Sequence, residues 1–332
     1  MQTVRSILLA LFGSAAVANA VTASEWTSVI NMAGRQRMLS QRMSKEFLMV
    51  AKGIDTNASK AAMVSTVALF DTSLGKLVNG ASADGIIAAP NSGISTQLST
   101  VQGLWTEFKA LLTDYVDASP ISDTVLEDMS NKSNPLLVQM NSAVVLYLSA
   151  AGAAAPGAVV NIAGRQRMLS QRMSKDALLV SMGIMTTRSL GDLQTYRNLF
   201  ATSFAGLKDG SSSMSLPGTN DSCILTQLDV IEGIWNDFST VIDAVISAGA
   251  ITTTQLTTIA TLSLPLLTES NVAVTQYVEE ANAGSATCVT TTVTTTLPPT
   301  NPGSASGANA LGAGAVRAIM AVAVLRLVLF MS

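Results

Sequence analysis

Fifteen residues, NMAGRQRMLSQRMSK from Asn31 to Lys45, return as NIAGRQRMLSQRMSK from Asn161 to Lys175 with one exchange, Met32 for Ile162. Eight of the chain's 19 basic residues fall in these two windows, in a protein whose net charge is −3, so positive potential is concentrated locally. On a helical wheel, Met32, Leu39, Met43, Phe47 and Val50 form one apolar stripe, which is a core face. Ile30, Gly34, Arg37, Gln41, Ser44 and Leu48 gather on a second, mixed face, with Arg35 and Arg42 on the flank between the two. Arg37 stands one turn after Gly34, which would let another backbone come close, and one turn before Gln41, which offers a polar partner. A guanidinium on such a helix interface needs an anion, because burying an unpaired charge is costly and arginine does not escape by losing its proton. That anion is either a carboxylate of the protein or a bound ligand. Gly164, Arg165, Arg167, Gln171 and Arg172 repeat the arrangement. Arg35 and Arg42 read as solvated residues paired with carboxylates such as Glu46 and Asp176. Arg37 and Arg167, with Gly34, Gly164, Gln41 and Gln171, are the candidate ligand-binding residues.

Other chemistry is scarce. The chain has no histidine, which removes the usual general base at neutral pH and the commonest metal ligand. Cys223 and Cys288 are too few for a thiolate zinc site, so neither a metal nor a cofactor is expected. The acidic balance disfavours nucleic acid as a partner. Glu279 and Glu280 are adjacent, do not face each other on a helix and make no acid–base pair. Trp105 and Trp235, each with a phenylalanine three residues on, read as core anchors, and the 15 methionines as adaptable packing. The chain therefore reads as a non-enzyme.

The elements that position the arginines follow from the same repeat. An offset of 130 residues pairs Phe70 with Phe200, Trp105 with Trp235, Phe108 with Phe238, Pro135 with Pro265, Asn141 with Asn271 and Tyr147 with Tyr277, so a whole domain is duplicated. With 48% apolar, 12% charged and only 5% aromatic residues, the composition favours helices packed through aliphatic side chains. Breakers divide copy one into helices over 24–52, 58–78, 94–116 and 122–151, and copy two into 157–182, 189–207, 222–248 and 252–281. Pro135 and Pro265 predict a kinked fourth helix, or one that starts just before them. Short connections predict two tandem antiparallel four-helix bundles in an all-α chain. Four antiparallel helices return each copy to its starting end, so the turn at Pro156 and Gly157 can lay the bundles side by side as an intramolecular pseudo-dimer. The same parity brings Cys223 near Cys288, which predicts a disulfide.

Residues 1–20 read as a signal peptide: Arg5, an apolar run from Ile7 to Phe12, and the cleavage site Ala18-Asn19-Ala20. The two domains then occupy 21–153 and 154–284. Residues 285–306 form a Thr/Pro/Ser-rich stalk, and 307–332 a hydrophobic tail of the glycolipid (GPI) anchor type, with Ser304 or Ser306 as the attachment site. Arg317 and Arg326 interrupt that tail, and would weigh at least as heavily against a spanning helix. Asn57, Asn131 and Asn220 begin glycosylation sequons compatible with a secretory route. The expected location is the outer face of the plasma membrane.

The motif N-x-AGRQRMLSQRMSK resembles the opening of the PilJ/NarX-like N-terminal sensor domain of type IV pilus methyl-accepting chemotaxis transducers, related more distantly to nitrate/nitrite sensor kinases. The nitrate sensors carry Gly-x-x-Arg-Met-x-Ser-x-Arg at the centre of a symmetric dimer, where one arginine from each subunit grips the anion. Gly34, Arg37, Met38, Ser40 and Arg42 keep that form, as do Gly164, Arg167, Met168, Ser170 and Arg172. The resemblance implies that Arg37 and Arg167 contact a small anion such as nitrate or nitrite, and that a signalling partner receives the output. Arg35 and Gln36 follow the pilus-transducer version of the motif, and no kinase or methyl-accepting segment is read in these 332 residues. The rival reading is a structural or adhesive surface protein in which the motif zips two bundles together.

Overall fold

The computed structural model describes residues 20–154 and 156–288. Residues 1–19 of the segment read as a signal peptide, most of the segment read as a stalk, the hydrophobic tail and Ser304 and Ser306 lie outside the described residues. Eight long helices account for nearly all of the rest: α1 (Ala23–Lys52), α2 (Thr56–Asn79), α3 (Ser92–Tyr115), α4 (Asp123–Ala151), α5 (Gly157–Ser181), α6 (Thr186–Asp209), α7 (Ser222–Ala248) and α8 (Thr253–Ala283). The protein is all-α, and its helices fall in two tandem sets of four.

Local sequence sets the helix ends. Thr22 and Glu25 form a reciprocal capping box at the start of α1, and Thr252 and Gln255 form another at α8. Asn91, Ser122 and Asp221 cap α3, α4 and α7 through their side-chain oxygens, each cap contributing about 1 kcal/mol. Gly53 ends α1 at φ 76°, a left-handed conformation that glycine adopts without a Cβ penalty. Pro135 and Pro265 lie inside α4 and α8, both of which begin well before the proline and run through it.

In each half the first helix packs on the second and the fourth, and the third closes the bundle against the fourth. Trp105 of α3 lies over Phe70 of α2 with ring centroids 4.2 Å apart, and Trp235 over Phe200 at 3.9 Å, so the tryptophans are core anchors in both copies. The most extensive helix pairing in the molecule is α1 against α5, across the two copies. These helices run parallel: the start of each meets the middle of the other, and near their far ends Lys52 Nζ donates to the Ser181 carbonyl at 2.8 Å. Gly157 sits tightly between α4 and α1: a Cβ there would fall 2.6 Å from Leu148 Cδ2 and 2.8 Å from Ile30 Cδ1, side-chain ends that would have to shift.

This central position explains the two faces of α1. Leu39, Met43 and Phe47 fill the core of their own bundle, while Ile30, Arg37, Gln41, Ser44 and Leu48 are buried as well. α1 and α5 are thus enclosed on nearly every side through the motif. Cys223 in the first turn of α7 is disulfide-bonded to Cys288, beyond α8. Asn57, Asn131 and Asn220 are exposed, Asn131 within the first three turns of α4.

Candidate anion site between the two arginine helices

Arg37 and Arg167 are 1% and 3% exposed, and among the described residues neither has a carboxylate within 4 Å. Their partners are asparagines. Arg37 Nη1 donates to Asn141 Oδ1 of α4 at 2.8 Å, and its Nη2 crosses the seam to Asn161 Oδ1 of α5 at 2.7 Å. Arg167 mirrors this, with Nη1 donating to Asn271 Oδ1 of α8 at 2.8 Å and Nη2 crossing to Asn31 Oδ1 of α1 at 2.9 Å. The Nε of both is buried and has no partner among the described residues. Neutral amide oxygens supply acceptors but no countercharge, so two cations face one seam uncompensated.

The electrostatics reflect this. Burial, with Arg165 nearby, pushes Arg37 down to about 9, and burial with Arg35 and Arg37 nearby pushes Arg167 down to about 9. Both remain cationic at neutral pH. Arg35 and Arg165 are held below the ordinary value mainly by burial, which sets four guanidiniums around the seam.

Several sequence expectations are corrected at this point. Arg35 has no carboxylate within 4 Å among the described residues; it is partly buried and its Nη2 donates to Ser73 Oγ at 3.0 Å. Arg42 does pair with Glu46, Nε to Oε1 at 2.7 Å, and Arg172 with Asp176 at 3.8 Å, but these pairs are buried, not solvated; Arg172 also reaches the half-buried Asp192 at 3.2 Å. Gly34 does not admit a second backbone. A Cβ there would meet Arg37's own Nη2 at 3.3 Å, and at Gly164 that of Arg167 at 3.0 Å, so each glycine makes room for its arginine to fold back along the helix. Gln41 and Gln171 do not reach the guanidiniums; each amide donates to the neighbouring serine hydroxyl at 3.2 Å, and Gln171 also to the Ser263 carbonyl.

Sequence reasoning passed over the four asparagines. Asn141 and Asn271 were visible as a repeated pair, and Asn31 and Asn161 as the first letter of the motif, but pairing them with arginines 104 to 136 residues away requires the fold. It also passed over Gln36 and Gln166, which donate to the Phe70 carbonyl at 3.1 Å and to Ser203 Oγ at 2.7 Å, and so lock the motif helix to α2 and α6.

Two parallel helices that present buried guanidiniums to each other at the seam of paired four-helix bundles define a doubled helical module. The family model for the type IV pili methyl-accepting chemotaxis transducer N-terminal domain matches residues 22–129 and again 150–261, and the chain belongs to that family. The methyl-accepting chemotaxis protein McpN of Pseudomonas aeruginosa is 31% identical over 141 residues, which is 42% of this chain. The match spans 26% of McpN, so the chain covers about a quarter of that relative. No solved structure matches.

Proposed function

We propose that this protein is an extracellular, non-enzymatic sensor that binds one small oxyanion, nitrate or nitrite first among candidates, between α1 and α5. The observation that carries the reading is the pair of buried guanidiniums with no countercharge and an unpartnered Nε on each. An anion on the seam axis would receive charge-assisted, bidentate hydrogen bonds from Arg37 and Arg167 and offset the desolvation that now opposes both cations. The amide N–H groups of Asn31 and Asn161 add neutral donors beside them. The doubling of the domain lets one chain supply both halves of the site. Membership in a chemotaxis-transducer sensor family supports a sensory role, with a signalling partner downstream. Placement outside the cell, on a lipid anchor, rests on the terminal segments of the sequence and accords with the disulfide.

Titration calorimetry with nitrate, nitrite and other small oxyanions tests this. One equivalent per chain is expected, lost in both Arg37→Ala and Arg167→Ala, because each arginine is half of one site. Two independent equivalents, or no heat with any oxyanion, would refute it and leave a structural zipper.

A further inference from the structure

The pseudo-symmetry of the two copies breaks at the far end of the α1–α5 seam. Where α5 ends against the first turns of α4, polar side chains occupy the space: Lys175 Nζ donates to Asn134 Oδ1 at 3.3 Å, and Arg188 Nη1 to Asn131 Oδ1 at 3.4 Å. The matching place lies where α1 ends against the start of α8. There the 130-residue offset puts Lys45 for Lys175, Leu264 for Asn134, Ala58 for Arg188 and Thr261 for Asn131. Side chains that reach across in one half are short or apolar in the other, and a cavity of about 450 Å³ is present.

Its walls are apolar, from Met49, Ile54, Ile251, Leu256 and Leu264, with threonine hydroxyls along α8 and Lys52 and Asp55 among the lining residues. Concave, mostly apolar sites of this size with a few polar groups are what small-molecule ligands occupy. The charged residues in the lining are Lys52 and Asp55; Lys45 lies outside the lining, one turn before Met49, and its counterpart Lys175 reaches Asn134, the position that Leu264, a lining residue, takes here. Lys45, Met49 and Lys52 follow one another at spacings of four and three, on one face of α1. Lys52 Nζ uses one donor on the Ser181 carbonyl and keeps two. Lys45 is 6% exposed and, with Leu264 in place of the asparagine that serves Lys175, has neither a hydrogen bond from its ammonium nor a carboxylate within 4 Å among the described residues. Lys52 and Asp55 balance within the lining, and Lys45, one turn further along α1, adds the cation that tips the local charge positive.

We propose that this cavity is a second binding site, distinct from the arginine seam, for a small amphipathic carboxylate: an aliphatic or aromatic monoacid. Its apolar body lies against Met49, Ile54, Leu256 and Leu264, and its carboxylate on the lysine row of α1. One equivalent per chain is expected, because Lys175–Asn134 and Arg188–Asn131 contacts cross the equivalent place in the other half.

The test uses the full chain, with 1-anilinonaphthalene-8-sulfonate as a fluorescent reporter displaced by octanoate or by 1-octanol. The wild type should bind one equivalent of reporter and release it to octanoate at a concentration at least tenfold below that needed with octanol. The triple variant Ala58→Arg, Thr261→Asn, Leu264→Asn installs residues the other half already carries, and should weaken octanoate tenfold or more with helicity by circular dichroism unchanged. If that variant does not fold, Leu264→Phe narrows the same cavity and is expected to act likewise. Lys45→Met with Lys52→Gln should abolish the preference for octanoate over octanol, and Arg37→Met with Arg167→Met should leave octanoate binding unchanged. Wild-type octanoate affinity in a folded cavity-filled variant would overturn the site, equal displacement by octanol and octanoate would overturn its charge preference, and loss on Arg37→Met with Arg167→Met would assign the binding to the arginine seam.

Discussion

Replacing both seam arginines by methionine separates a binding role from a structural one. Each guanidinium is all but fully buried without a carboxylate, and its desolvation costs several kcal/mol. Against that stand two short bonds to asparagine oxygens per arginine, each worth roughly 1.5–3 kcal/mol because the donor is charged. The two terms nearly cancel. Methionine keeps the length and packing of the stem, and Asn31, Asn141, Asn161 and Asn271 are accessible enough for water to replace the lost donors. Arg37→Met with Arg167→Met should therefore melt within a few degrees of the wild type in the absence of anion, or above it. With nitrate the two should diverge. At a hundredfold excess over its dissociation constant a ligand adds about 2.7 kcal/mol, and at roughly 2–4 °C per kcal/mol for domains of this size the wild type should gain some 5–10 °C. The variant should gain nothing. Differential scanning fluorimetry at constant ionic strength, with nitrate exchanged for chloride, reads both numbers. A variant that melts far below the wild type, combined with a wild type indifferent to every oxyanion, would show that the arginines hold the bundles together and bind nothing.

Three further outcomes follow from the surrounding contacts. Glu46 is 3% exposed and takes both Arg42 Nε at 2.7 Å and Thr66 Oγ1 at 2.8 Å. Glu46→Ala strands a buried guanidinium and should cost roughly 3–5 kcal/mol in urea unfolding; a loss below 1 kcal/mol would mean that water reaches Arg42. Lys45 and Lys175 are pushed by burial from the ordinary 10.5 to about 8. Between those values the unfolded chain binds more protons than the folded one, so these groups make stability rise with pH across that window. Lys45→Met with Lys175→Met should flatten this rise relative to the wild type, and parallel pH profiles for the two proteins would count against a depressed lysine. The Cys223–Cys288 bond closes a span of 65 residues, and Cys223→Ser with Cys288→Ser should lower the stability of copy two by up to about 4 kcal/mol on chain-entropy grounds. An unchanged guanidinium midpoint would show that the residues after α8 detach before the bundle unfolds.

The separation between what sequence dictates and what the fold adds runs through the motif itself. Helix identity was legible because breakers, caps and apolar spacing are local, and the 130-residue offset supplied each reading twice. Parity of four antiparallel helices even brought Cys223 toward Cys288, since connection lengths restrict which ends can meet. Burial of the polar face was not legible. A wheel distinguishes faces, but α1 is enclosed on both by α2, α4 and α5, so Arg42, Lys45 and Glu46, which look like a solvated edge, are interior. The role of Gly34 was misjudged for a related reason: its neighbour is the arginine of its own helix, and rotamers are not written in spacing.

The chain by itself therefore determined eight helices in two matching sets of four, and singled out Arg37 and Arg167 among eight clustered basic residues. Only the tertiary structure decided that these arginines meet asparagines instead of carboxylates, across a seam between copies. It alone set polar contacts across the far end of the seam in one half against a cavity at the pseudo-symmetric place in the other. Local periodicity fixes which way a side chain points; which atoms it finds there depends on residues a hundred or more positions away.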